Sequence, residues 1–196
     1  MELQTRLNEI VAKWNLLNHP FYQAWSAGTL PVESLRAYAQ EYGAFIRELP
    51  LGWQSQNDTA TAHEEAEHID LWEQFAHALE THIGEAERPA VRQLIHTARQ
   101  LFADPVTALG ALYAFEGQQP ATAQSKLEGL MTHYRLPDGV RPYFEVHAVN
   151  HHEAEKLLAR LSTLGPADQA RALSACEQMC QALWNALSDL TPESCA

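Results

Sequence analysis

Glutamate and histidine side chains recur at helical spacing in three segments of this chain. Glu64 and His68 lie four residues apart in HEEAEHIDLW, and His147 and His151 repeat that spacing in YFEVHAVNHHEAEKLL. Glu116 lies between the two pairs, in ALYAFEGQQP. Residues i and i+4 of a helix share a face, so three helices could direct these side chains at one point. Carboxylates and imidazoles bind iron, manganese or zinc, and the pattern therefore indicates a metal site.

The three segments also allow other interpretations. Glu116 interrupts the apolar run LGALYAF, which belongs in a core. A buried carboxylate is costly unless it is coordinated or ion-paired, so a salt bridge inside the bundle is the alternative for Glu116. HEEAEH is a polar run of the kind found on solvated surfaces, and Glu65 has i, i+3 spacing to His68. Spacing leaves open whether Glu64 or Glu65 points inward.

Helix breakers divide the chain into segments that all favour helix, and no stretch has the alternation of a strand. Pro50 predicts a kink in a long helix, and Asp104 with Pro105 forms an N-cap and first-position pair. The predicted helices span about 2–17, 19–27, 31–56, 60–83, 87–102, 142–163 and 166–189. Between the fifth of these and the sixth, one helix starts at Pro105 and carries Glu116, and another starts at Pro120 and carries Lys126. We therefore predict an all-α fold, a single-domain helical bundle over residues 1–196.

Composition narrows the range of partners. The 25 acidic residues outnumber the 13 basic ones, and the formal net charge of -12 argues against nucleic acid or an anionic membrane. No apolar run reaches the length of a membrane span, and the first residues lack the features of a signal peptide, so we expect a cytoplasmic location. Cys176, Cys180 and Cys195 are expected to be reduced thiols rather than a bridge or metal ligands.

Several motifs together resemble a known superfamily. They are FYxxWSxGxL at 21–30, LRAYAQEY at 35–42, HIDLWEQF at 68–75, ALYAFEGQQP at 111–120 and YFEVH at 143–147. On these motifs the chain resembles the heme-oxygenase-like helical bundles, which include the TenA/PqqC proteins and the heme-oxygenase-like diiron oxidases. Within them it resembles the branch of the chlamydial protein associating with death domains and its bacterial relatives. The similarity extends over most of the chain.

The resemblance implies a self-sacrificing synthesis of 4-aminobenzoate for folate. Members of that branch use O2, a reductant and a dinuclear iron or iron–manganese site. Matched by motif, the sacrificed tyrosine corresponds to Tyr22 in HPFYQAW, and the lysine that donates the amino group corresponds to Lys126 in QPATAQSKLEGL. The implied metal ligands include four residues that match the family directly: Glu64, His68, Glu116 and His147.

The chain departs from the family pattern at its late helix. The family carries His-x3-Asp-x2-His there, whereas the same register in this chain gives His147, His151 and Ala154. We expect His151 and Glu155 to complete the ligand set, with His152 as an alternative. The Glu-to-His spacing of the earlier helix is also shorter than in the family. Two family tyrosines are replaced, by the residues Gly43 and Phe115.

The sequence is also compatible with other functions. A relative of the diiron oxidases could act on an external small substrate and turn over many times. A TenA-like hydrolase would need a nucleophilic cysteine in the bundle interior, whereas the cysteines of this chain all lie within its last 21 residues. A non-catalytic interaction protein would have Glu116 in a salt bridge and no metal. A homodimer is compatible with each of these alternatives.

Overall fold

The computed structural model describes residues 2–195, and within that range it contains helices and no strand. The predicted all-α fold is confirmed. The helices are α1 (Leu3–Lys13), α2 (Pro20–Ser26), α3 (Val32–Ile46), α4 (Leu49–Ser55), α5 (Thr59–Ala78), α6 (Pro89–Phe102), α7 (Pro105–Glu116), α8 (Gln119–His133), α9 (Pro142–Ala148), α10 (His152–Ser162) and α11 (Pro166–Leu190). Short 3₁₀ turns lie at Leu16–Asn18, Asp138–Val140 and Glu193–Cys195.

Capping side chains determine where several helices begin. The Asp104 carboxylate accepts hydrogen bonds from two backbone N–H groups in the first turn of α7, at 2.9 and 3.1 Å, and Pro105 occupies the first position. This start agrees with the prediction. Asp58 caps α5 in the same way. His19 caps α2, the helix that carries Tyr22, through its ring nitrogen.

Two predicted helices are divided in the structure. The segment 31–56 separates into α3 and α4, and Pro50 lies in the first turn of α4, where its missing N–H is tolerated. The segment 142–163 separates into α9 and α10, with Val149, Asn150 and His151 between them. The prediction of one continuous helix there was wrong. His147 and His151 consequently do not lie one turn apart on a single helix face.

Ion pairs connect α10 to the beginning of α5. Lys156 Nζ lies 2.5 Å from Thr61 Oγ1 and 3.1 Å from Asp58 Oδ2. Arg160 Nη2 lies 2.8 Å from the same Asp58 oxygen. Arg160, one turn after Lys156, therefore pairs with the residue that caps the start of α5. Residues earlier in α10 than Lys156 lie beside later turns of α5. This antiparallel register places the start of α10 next to the segment HEEAEH.

The centre of the bundle is formed by α7 and α11. Every residue of α7 from Ala108 to Glu116 is buried, as is one face of α11. The two helices approach closely at Gly110, where an added Cβ would lie 1.9 Å from the Ala172 carbonyl oxygen. Cys176 and Cys180 are buried free thiols on α11. Among the helices described, none is long and apolar enough to cross a membrane.

Candidate metal centre and tyrosine–lysine cluster

Glu65 and His68 face the interior from α5. The Glu65 side chain is almost fully buried, whereas Glu64 is exposed, so the structure answers the question that spacing left open. His68 Nδ1 lies 3.2 Å from Glu65 Oε1. Burial lowers the pKa of His68, but the hydrogen bond to Glu65 and the negative charge of that residue outweigh the effect and raise the pKa overall. The pair is therefore an imidazole and a carboxylate held together in the core.

His147 presents a ring nitrogen to the same region from α9. Its Nδ1 lies 2.7 Å from the Tyr143 carbonyl oxygen, which can only accept, so Nδ1 carries the proton and Nε2 has a free lone pair. Nε2 is buried and has no hydrogen-bond partner among residues 2–195. The His147 and His68 ring centroids are 4.4 Å apart. Burial and the neighbouring His68 lower the pKa of His147 to about 3, so the ring is neutral and suited to coordination.

Three buried carboxylates from three helices lie beside these histidines. Glu65, Glu116 and Glu153 each offer an oxygen, and these oxygens lie within 4.8 Å of one another. One oxygen of Glu116 and one of Glu153 are buried without a hydrogen-bond partner in the described chain. Burial, followed by the charges of the other two glutamates, raises the pKa of Glu116 well above its usual range. Such a cluster is costly without a cation, since like charges repel in a medium that screens them poorly.

The donors form two overlapping groups that share Glu65. One group is Glu65, His68 and His147, and the other is the carboxylate trio of Glu65, Glu116 and Glu153. Oxygen and imidazole donors without thiolate suit iron and manganese. The unpartnered oxygens of two carboxylates and the unpartnered Nε2 of His147 fit this assignment, because they are the atoms that a metal would satisfy.

The other predicted ligands lie outside this inner set. Glu64 is exposed and groups with His152 and Glu153 on the outer side. His151 lies in the break between α9 and α10, and Glu155 is exposed on α10. Within residues 2–195, neither His151 nor Glu155 belongs to a group of three potential metal donors.

Glu153 was not among the ligands predicted from the sequence, although its spacing to apolar residues indicates that it is buried. Leu157 and Leu161 follow it at four-residue intervals, and all three are buried. A carboxylate in line with the apolar face of an amphipathic helix points to the core. The same argument selects Glu65, which lies one turn after the buried Thr61 and two turns before the buried Trp72.

A second cluster joins two tyrosines to a buried lysine. Tyr22 Oη and Tyr38 Oη are 2.9 Å apart, and Lys126 Nζ lies 3.4 Å from the first and 3.3 Å from the second. Lys126 makes no salt bridge within the described residues, and burial lowers its pKa to about 7. Burial also raises the pKa of Tyr22, which stays a neutral phenol. The resemblance had selected Tyr22 and Lys126, and the structure brings them into contact.

Aromatic side chains fill the space between the lysine cluster and the metal donors. The Trp72 ring lies 5.4 Å from Tyr38 and 4.7 Å from Tyr143, measured between centroids. Tyr143 stacks on His147 at 4.1 Å, and its hydroxyl accepts a hydrogen bond from Gln119. The two clusters are thus neighbours separated by packed rings.

The two replaced family tyrosines occupy positions in this core. A Cβ added at Gly43 would lie 2.6 Å from Trp72 Nε1, so the indole occupies the space that a side chain at position 43 would need. Trp72 Nε1 donates to the Ala39 carbonyl oxygen at 2.7 Å, which fixes the ring there. Phe115 is buried against Phe45 with a centroid distance of 5.5 Å and has no hydroxyl.

Sequence comparisons point to one family and one group of relatives. A model described as iron-containing redox enzyme matches residues 36–184. A protein of Nitrosomonas europaea named 4-aminobenzoate synthase is 30% identical, over 97% of this chain and 92% of its own length. A protein of Chlamydia muridarum with the same name is 32% identical, over 100% of this chain and 93% of its own.

Solved structures share the fold at lower identity. A TenA homologue from Pseudomonas syringae has a TM-score of 0.75 at 15% identity and covers 97% of this chain and 95% of its own. A heme-oxygenase-like domain from Shewanella denitrificans has a TM-score of 0.76 at 18% identity, with coverages of 97% and 92%. A CADD-like protein from Nostoc punctiforme has a TM-score of 0.69 at 18% identity, with coverages of 96% and 92%. The heme-oxygenase-like fold expected from the motifs is confirmed.

Proposed function

Because this chain belongs to the family of iron-containing redox enzymes, we propose that it is a metal-dependent oxygenase that makes 4-aminobenzoate from its own Tyr22. Two supports are independent of each other. Relatives named 4-aminobenzoate synthase align with nearly the whole chain at 30% and 32% identity. The buried donors described above provide a site for iron, or for iron with manganese.

The observation that carries this proposal is the contact between Lys126 and Tyr22. In 4-aminobenzoate the amino group stands on the ring carbon that bears the hydroxyl in tyrosine. Lys126 Nζ lies 3.4 Å from that hydroxyl oxygen and 4.8 Å from the ring centroid. The lysine nitrogen is therefore in contact with the hydroxyl group that it would replace. The nitrogen that the product needs is therefore beside the bond at which it must enter.

The environment of Lys126 suits an amine that donates nitrogen. An ammonium ion has no lone pair, so it must lose a proton before a C–N bond can form. Burial lowers the pKa of Lys126 to about 7, and the two phenols that surround it leave it without a carboxylate to hold the charge. A large fraction of Lys126 is then neutral near pH 7.

The inner donor set would hold the metal on the other side of the aromatic core. Glu65, Glu116 and Glu153 would supply oxygen ligands, and His68 and His147 would supply nitrogen ligands. A bound redox-active metal would supply the activation of O2. Transfer of the nitrogen requires that the Tyr22 hydroxyl oxygen leave as water and that the Nζ–Cε bond of Lys126 break, with Cε oxidised to an aldehyde. Release of the product also requires cleavage of the Tyr22 Cα–Cβ bond and oxidation of Cβ to a carboxyl group. O2 is the oxidant for these steps, and a reductant is the co-reactant needed for its activation. The product would serve folate synthesis.

Consumption of a residue limits the yield. Each chain contains one Tyr22, so at most one 4-aminobenzoate forms per polypeptide. The aromatic packing keeps both reacting side chains away from water, since Tyr22 and Lys126 are each about 3% exposed. Exclusion of water protects an oxidised ring from side reactions.

The test is isotopic. Protein containing ring-¹³C tyrosine and side-chain ¹⁵N lysine is loaded with iron, or with iron and manganese, and exposed to O2 and a reductant. We expect 4-aminobenzoate that carries both labels, at no more than one molecule per chain. Tyr22→Phe and Lys126→Met should abolish the product, whereas Tyr134→Phe, which removes a hydroxyl from a tyrosine outside the cluster, should not. Unlabelled product, or many turnovers with an added substrate, would contradict the proposal.

A further inference from the structure

An outer carboxylate–histidine group lies at the start of α10, and two of its three residues have no role in the chemistry described so far. It consists of Glu64, His152 and Glu153, whose potential donor atoms lie within 4.8 Å of one another. Glu64 and His152 are exposed, whereas Glu153 is about 2% exposed. Glu153 belongs both to this group and to the buried trio with Glu65 and Glu116. The outer group thus connects the surface to the inner set through one shared residue.

One carboxylate oxygen indicates a ligand in this position. Glu153 Oε2 accepts a hydrogen bond from Asn150 at 2.8 Å, but Oε1 is buried and has no hydrogen-bond partner among residues 2–195. His152 Nε2 lies 4.0 Å from that oxygen, which is too far for a hydrogen bond. An unpaired buried carboxylate oxygen is costly, and two donor atoms at that separation can both bind one cation placed between them.

The fold holds this arrangement in place. Lys156 and Arg160 fix α10 against Asp58 and Thr61 at the start of α5. His152 lies one turn before Lys156, and Glu64 lies one turn after Thr61, so the antiparallel register brings Glu64 and His152 together. The break between α9 and α10 puts His152 at the first position of its helix, where it is open to solvent.

From these observations we propose that Glu64, His152 and Glu153 form a loading site for divalent metal ions on their way to the buried centre. This inference rests on the proposed metal centre. Glu64 and His152 capture the hydrated ion at the surface and replace part of its water shell. Glu153 binds it next and presents it to Glu65 and Glu116. The net charge of -12 favours the approach of cations to the protein as a whole.

The experiment measures metal uptake rather than product. Metal-free protein is mixed with Co²⁺ over a range of concentrations, and the visible absorption of bound Co²⁺ gives the uptake rate. Metal analysis after desalting gives the number of ions retained per chain. The test variant is Glu64→Gln/His152→Ala, which alters only exposed side chains. The matched control is Glu67→Gln/His63→Ala, an exposed pair on α5 whose atoms lie 3.5 Å apart.

We expect the wild-type uptake rate to saturate with Co²⁺ concentration, since capture precedes transfer. The test variant should take up Co²⁺ about tenfold or more slowly, without saturation, because local accumulation of the ion is lost. It should still retain the same number of ions at equilibrium. The control should behave like the wild type.

Three results would overturn the loading site. Equal uptake rates in the test and control variants would show that Glu64 and His152 do not assist metal uptake. A lower number of retained ions in the test variant would make Glu64 and His152 ligands of the resident metal instead. Failure of the wild type to retain Co²⁺ would show that the buried donors do not form a metal centre. Normal uptake without formation of 4-aminobenzoate would instead refute the proposed function and leave the loading site supported.

Discussion

Replacing Lys126 by methionine should stabilise the metal-free protein at neutral pH. The folded chain holds Lys126 with a pKa of about 7, against 10.5 for a free lysine, and burial is the cause. That difference corresponds to about 5 kcal/mol at roughly 1.4 kcal/mol for each pKa unit. It opposes folding below about pH 7, because both states then carry the charged lysine and only the folded state holds that charge away from water.

The dependence on pH follows from the sign of this shift. Between about pH 7 and 10.5 the unfolded state binds one more proton than the folded state, so the stability of the wild type rises with pH by about 1.4 kcal/mol for each unit. The destabilisation is fully present below pH 7 and absent above 10.5. Lys126→Met lacks this term, so its advantage should be largest near pH 6 and shrink steadily towards pH 10.

Urea unfolding of metal-free wild type and variant at several pH values measures the difference. The advantage of the variant near pH 6 should be about 2–5 kcal/mol, since the lost contacts with Tyr22 and Tyr38 offset part of the gain. Lys13→Met, on a side chain that is 60% exposed, is the control and should show no such trend. A stability difference that does not change with pH would refute the reasoning, because Lys126 would then be charged in the folded protein.

Two further predictions concern the core. Glu116→Gln should stabilise the metal-free protein by about 1–3 kcal/mol in thermal or urea unfolding, because burial and the two neighbouring glutamates disfavour ionisation of this carboxyl and glutamine avoids that cost. The same variant should retain metal less well. A variant that is less stable without metal would show that Glu116 is paired. Gly110→Ala should destabilise the protein by about 1–3 kcal/mol, because the new Cβ would meet the Ala172 carbonyl oxygen. Gly165→Ala is the control, since no atom lies within 4 Å of a Cβ there, and equal stabilities of the two variants would contradict the close approach of α7 and α11.

Local sequence was sufficient for the helical fold and for part of the site. Proline and aspartate at helix starts predicted α7 correctly, since capping depends on only a few neighbouring residues. The burial of Glu116 also followed from its apolar neighbours, because a residue inside an apolar run lies in the core whatever its partners are. Tyr22 and Lys126 needed the family resemblance, since 104 residues separate them and neither shows a local signal.

The choice between adjacent residues required the tertiary structure. Glu64 and Glu65 differ by about 100° around the helix, and local spacing supports either one. The interior lies on the side of Glu65 because Thr61 and Trp72 pack there.

The place of Glu153 among the buried metal donors depends on contacts between residues that are distant in sequence. Lys156 and Arg160 reach Asp58, about 100 residues earlier in the chain, and hold α10 with its apolar face inward. Those ion pairs and the break after Ala148 decide that Glu153 enters the core while His151 remains at the surface. The sequence alone thus determined which kinds of donors the protein has, and the packing of α9 against α5 and of α10 against α7 decided which of them meet.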